Sequence, residues 1–184
     1  MKNTKSDQDC NYARYTFMTG TRTFIGVEMI LSNMIDNFDE VTSHPDGSFS
    51  TTNNLIARNA ISDIAIVRSY SLLEGFFHEE GEKNHIKHQG LIDLIDKLFD
   101  KHTVSLKDWE NRRTLVDLLR VLRNAATHRN GIIKSDIDKE KFREIFGKDI
   151  FDKNYPSLSL PRSLWLLREL KSIADEYSEA VLKK

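Results

Sequence analysis

Apolar residues recur every three or four positions along most of this chain, the rhythm of helices packed on one another. From Tyr12 to Phe38, the positions Phe24, Val27, Ile30 or Leu31, Met34 and Phe38 make one face, locally weakened by Gly20 and Gly26. Residues 1–11 carry no such pattern and are expected to fray. The run Thr42 to Asn54, rich in small polar residues with Pro45 and Gly47, reads as a long loop. From Leu55 to Glu80 there are two apolar stripes. One is Ile61, Ile64, Ala65, Leu72 and Phe76; the other is Ile66, Val67, Tyr70, Leu73 and Phe77. A helix apolar on most sides is expected at the centre of a bundle. A flexible charged connector is expected from Gly81 to Gly90, then an amphipathic helix from Leu91 to Lys101 with Leu91, Leu94, Ile95, Leu98 and Phe99 inward.

The next helix is expected from about Leu106 to His128, with Leu115, Leu118, Leu119, Leu122 and Ala126 as its stripe and Asn130-Gly131 as its stop. Asp136 can cap a short helix, Ile137 to Phe146, ended by Gly147. Pro156 and Pro161 bracket an extended link, and a last helix runs from Arg162 to about Leu182. No strand of convincing length, repeat or low-complexity tract interrupts the pattern. The expected fold is all-α: a bundle of four to five main helices in one domain, with a short helical insertion.

Composition narrows the function classes. The 184 residues suit a single domain with a real core. A formal net charge of −1 gives no global basic field, so any nucleic-acid contact must come from a local cluster. One cysteine, Cys10, excludes a disulfide framework and a multi-cysteine zinc site and suggests a reduced, cytoplasmic setting. Met1 to Asp9 has no apolar signal core, and no apolar run reaches the roughly 18 residues of a membrane span. No membrane partner is expected.

The chemistry concentrates in Leu122-Arg123-Asn124-Ala125-Ala126-Thr127-His128-Arg129-Asn130-Gly131, at the C-terminal end of a helix. Arginine holds a phosphate in a planar fork, and histidine moves protons near neutral pH. Together they suit phosphodiester chemistry without a metal or other cofactor. Spacing adds a constraint. At about 100° per residue, Arg123 and His128 point roughly 140° apart, whereas Asn124 and His128 share a face. Either the helix ends early and swings the imidazole round, or a symmetry-related copy supplies the missing partner. Arg113, Asp117 and Arg120 lie on the polar face and Arg129 just beyond its end, so the region is locally basic. The structural alternative is that Arg123 and His128 cap their own helix, each contributing roughly 0.3–1 kcal/mol.

That decapeptide resembles the signature of HEPN-domain proteins: arginine, a polar residue, a short spacer, then histidine. The layout from about residue 55 to 182 is similar too, including the acid among aromatics in Tyr70-Ser71-Leu72-Leu73-Glu74-Gly75-Phe76-Phe77. The resemblance implies a homodimer joined through the motif helices. It also implies metal-independent cleavage of RNA at a composite site, in prokaryotic defence or stress response, as in toxins and antiviral nucleases. Carried over by position, Arg123 orients the scissile phosphate, Asn124 positions the histidine or the phosphate, and His128 is the general acid or base. Arg113, Arg120, Arg129 and Asn130 are the candidate RNA-binding residues. A regulatory protein partner is compatible with the resemblance. In one toxin subgroup an AMPylated tyrosine stands two residues after the histidine; here that position is Asn130, which argues against that control. Two other readings stay open: a non-catalytic RNA-binding or assembly module of the same fold, and an unrelated helical scaffold.

Elsewhere, Glu74 is read as either a structural salt bridge to an arginine or an acid orienting Arg123 or His128. His78, His85 and His88 lie in a charged connector and lack a complete metal spacing. No Gly-x-Ser-x-Gly or phosphate-cradling glycine motif occurs. Trp109 and Trp165 are expected in the core or an interface.

Overall fold

In the computed structural model of the chain, residues 22–23, 25–30, 32–33, 51–129, 131–156 and 158–182 are described. The frayed start and residues 42–50 of the expected loop Thr42–Asn54 lie outside them. The described residues of the expected first helix, between 22 and 33, are helical, and Glu28 pairs with Arg168 at 2.7 Å. The remaining elements are α1 (Thr51–Lys83), α2 (Leu91–His102), α3 (Trp109–His128), α4 (Asp136–Phe146) and α5 (Leu160–Leu182). A two-residue-per-strand antiparallel hairpin, β1 (Phe151–Asp152) and β2 (Tyr155–Pro156), sits between α4 and α5. The fold is an all-α bundle, and no helix among the described residues is long and apolar enough to cross a membrane.

The central position expected for α1 is observed: it packs against α2, α3 and α5. Its two stripes bury Ala65, Ile66, Tyr70, Leu73, Phe76 and Phe77. Phe77 and Phe99 meet Tyr177 of α5, with Phe77–Tyr177 centroids at 5.4 Å, and Trp109 closes on Phe99 at 4.8 Å. Aromatic pairs at these separations contribute beyond their buried area, so this cluster ties α1, α2, α3 and α5 into one core. The same core extends under α4 through Ile133, Phe142, Phe146, Ile150 and Leu158.

Four expectations are corrected. Ile64 was assigned inward but is 67% exposed. Gly81 does not open a connector, because α1 continues to Lys83. A Cβ at Gly81 would stand 2.7 Å from the Leu94 Cδ1, so glycine is there to let α2 approach. Ser135, not Asp136, caps α4 by accepting from the Asp138 N–H. Thr51–Asn54, expected as the end of the loop, already belong to α1. Of the two tryptophans, Trp109 is packed against the core and donates its indole N–H to Asp96 at 2.8 Å, and Trp165 is 43% exposed.

Candidate active site

α3 carries the motif because leucines at its core face bind it to the bundle. Leu115, Leu118, Leu119, Leu122 and Ala125 are buried, which turns Arg123, Asn124, Thr127 and His128 towards the rim. The helix remains regular through His128, with Arg129 as its C-cap. An early ending that swings the imidazole back towards Arg123 is therefore not what the chain does, and their divergence of about 140° stands.

The end of α3 is capped by backbone. Arg129 N–H and Gly131 N–H both donate to the Ala125 carbonyl at 2.9 Å, and the Thr127 hydroxyl donates to the Arg123 carbonyl at 2.8 Å. Gly131 can close this turn because its φ is +78°, a left-handed value that costs glycine little. The two candidate cations are thus free of capping duty. His128 is exposed and makes no hydrogen bond among the described residues.

Arg123 turns away from its helix end, across to α1. One terminal nitrogen donates to Glu74 Oε2 at 3.2 Å and the other to Asn124 Oδ1 at 3.0 Å. Its guanidinium lies 5.9 Å from the centroid of the Tyr70 ring, within cation–π range. Both Arg123 (31%) and Glu74 (30%) have part-exposed side chains. Glu74 is not the buried charge its apolar neighbours suggest. An arginine has five N–H donors, and those left over from these two bonds can reach a ligand.

Tyr70 is the site residue that periodicity missed, since it reads as core and is indeed buried. Burial and then the Glu74 carboxylate push its hydroxyl up to about 12, against the pull of Arg120 and Arg123. Its spacing of four from Glu74 puts both on one helix face and was the available signal.

The other candidates separate. Arg120 pairs with Asp117 at 2.8 Å one turn before the motif. Arg113 lies ten residues from Arg123, about 15 Å along the axis, and pairs with Asp96 of α2 at 3.1 Å. Much of the basic patch expected on α3 is thereby neutralised. Arg129 is exposed with no ion pair among the described residues. Asn130 lies outside them. The His78 and His88 rings meet at 4.7 Å, tilted by 54°, and among the described residues no three ligating side chains gather as a metal site would require.

A cleft of about 430 Å³ lies at the other end of α3, lined by residues including Arg112, Lys141, Glu144 and Trp165. No family model, curated protein or solved structure matches the chain. The chemistry of the site therefore rests on its own residues.

Proposed function

We propose that the chain is a metal-independent endoribonuclease of HEPN type, acting as a homodimer whose site combines Arg123 of one protomer with His128 of the other. The observation that carries this reading is the state of the two cations. Among the described residues the exposed His128 imidazole has no partner, and Arg123 is part-exposed and aimed by Glu74, Asn124 and Tyr70 away from its helix carbonyls. Capping does not account for either. On a straight helix they diverge, so a common phosphate needs a second copy related by a two-fold axis.

In this mechanism Arg123 binds the non-bridging phosphate oxygens and stabilises the charge that builds on them. One His128 imidazole removes the proton of the 2′-hydroxyl, whose oxygen attacks phosphorus while the bond to the 5′-oxygen breaks. The imidazolium so formed returns that proton to the leaving 5′-oxygen, and a 2′,3′-cyclic phosphate remains. Glu74 and Tyr70 act as positioning residues through Arg123. A role in prokaryotic defence or stress response, a cytoplasmic setting and control by a protein partner belong to the same proposal.

The test is cleavage of labelled single-stranded RNA in EDTA by wild type, Arg123→Ala and His128→Ala, after each is verified as a folded dimer. Cleavage by wild type that is lost in both variants and absent on an all-deoxy strand is the expected result. Equal behaviour of the three proteins, or equal cutting of DNA, contradicts the mechanism.

A further inference from the structure

The chain leaving the motif is held against the hairpin. Ile133 N–H donates to the Asn154 carbonyl at 3.0 Å. The neighbouring Tyr155 lays its ring beside Gly131, where a Cβ would stand 3.6 Å from Cδ1 and 3.9 Å from Cε1. Tyr155 is 49% exposed, and its phenolic hydroxyl makes no hydrogen bond among the described residues. Gly131 follows His128 by three residues, a span of at most about 11 Å. A solvent-facing aromatic thus stands within a few nucleotides' reach of the imidazole.

Cations outnumber acids on the two segments that meet at the ring, where Asp152 stands opposite Tyr155. Arg129 on one side, Lys134 after the turn and Lys153 at the hairpin tip are exposed and unpaired among the described residues. Lys153 holds the tip with a φ of +58°, which keeps β2 and its tyrosine in register with Asp152 opposite Tyr155. Among the described residues, Asp136 is a nearby carboxylate, and it is engaged by Lys139 at 3.1 Å. An aromatic face flanked by free cations is the arrangement that binds unpaired nucleotides, the ring stacking a base and the cations following the backbone.

We infer that Tyr155 stacks a base next to the scissile phosphate and makes the site selective for single-stranded over duplex RNA. This rests on the ribonuclease reading and adds the substrate class to it. A base paired in a duplex has both faces covered by its neighbours and cannot reach the ring.

The test uses the full chain with the His128→Ala change, to stop cleavage, and single-stranded RNA carrying 2-aminopurine at successive positions. With Tyr155 present, the fluorophore is quenched at one register. Tyr155→Phe keeps both quenching and affinity. Tyr155→Leu still covers Gly131 but loses the quench, binds single strands about tenfold more weakly and loses its preference over duplex. In the cleaving protein, Tyr155→Leu raises KM and leaves kcat unchanged. Cleavage by wild type with unchanged binding, quenching and strand preference in Tyr155→Leu overturns this inference and leaves the ribonuclease reading standing. A wild type that neither binds nor cuts single-stranded RNA removes that reading and this inference with it. A leucine variant that alters dimer association but not quenching makes Tyr155 a protein contact and also overturns it.

Discussion

Arg112 and Arg123 lie on the same helix, about three turns apart, in opposite states. Arg112 is enclosed at 16% exposure by α5, with Glu176 at 2.9 Å, Glu169 at 3.4 Å and the Ser172 hydroxyl at 2.8 Å. Arg123 has one carboxylate, one amide and an aromatic face, and keeps part of its fork in solvent. A guanidinium enclosed by three partners on one neighbouring helix fixes the docking of two helices. One that is aimed but incompletely satisfied is ready for a ligand. The difference lies in the partners, not in the residue type.

Several changes would break or sharpen this contrast. The largest effect is expected on activity: Arg123→Ala or His128→Ala lowers cleavage by about 10²–10⁴-fold while leaving Tm nearly unchanged, because a part-exposed ion pair contributes little to stability. Arg112→Met reverses the pattern. It removes three contacts and leaves two carboxylates facing each other, costing about 2 kcal/mol, or a drop in Tm of roughly 5 °C by calorimetry. A larger stability loss from Arg123→Ala than from Arg112→Met would undo the distinction. Glu74→Gln keeps the shape but weakens the aim of Arg123. Its kcat/KM is expected to fall about tenfold with Tm unmoved, and Glu74→Asp to recover part of the activity.

The pH dependence tests the Tyr70 environment. Its hydroxyl is held neutral in the folded protein up to about 12, while in the unfolded chain it ionises near 10. Its contribution to stability is therefore complete below pH 10 and disappears between 10 and 12. Burial also raises the Tyr177 hydroxyl, beside Glu80, and the same sign applies. Urea midpoints should fall above pH 10, and less steeply in Tyr70→Phe and Tyr177→Phe. The smallest expected effect compares two glycines of α1. Gly75 has open space around it, so Gly75→Ala should stabilise by roughly 0.5–1 kcal/mol. Gly81→Ala should show no such gain, since the new methyl meets the fully buried Leu94.

Most of the fold was legible because it depends on periodicity. The paired stripes of α1, the leucines of α3 and the succession of helices follow from a 3.6-residue rhythm and its breakers, while α1 runs Thr51–Lys83 where the pattern predicts Leu55–Glu80. What escaped depends on contacts distant in sequence. Gly81 looks like a chain break until Leu94 is placed against it. The hairpin has two residues per strand, too few for an alternating pattern, and Tyr155 therefore had no signal. At the site, the motif and its divergent geometry could be read from spacing, and Glu74 could be named as a candidate. Its pairing with Arg123, the Tyr70 ring beneath the guanidinium and the neutralisation of Arg113 by Asp96 are tertiary facts.

The central claim is that one phosphate is served by residues of two chains. Mixing inactive Arg123→Ala protomers with inactive His128→Ala protomers tests it most directly. Half of the randomly formed dimers are mixed, and each mixed dimer holds one site with both residues intact. The mixture should recover about a quarter of wild-type ribonuclease activity. A mixture as inactive as its two components, with subunit exchange demonstrated, would contradict the composite site.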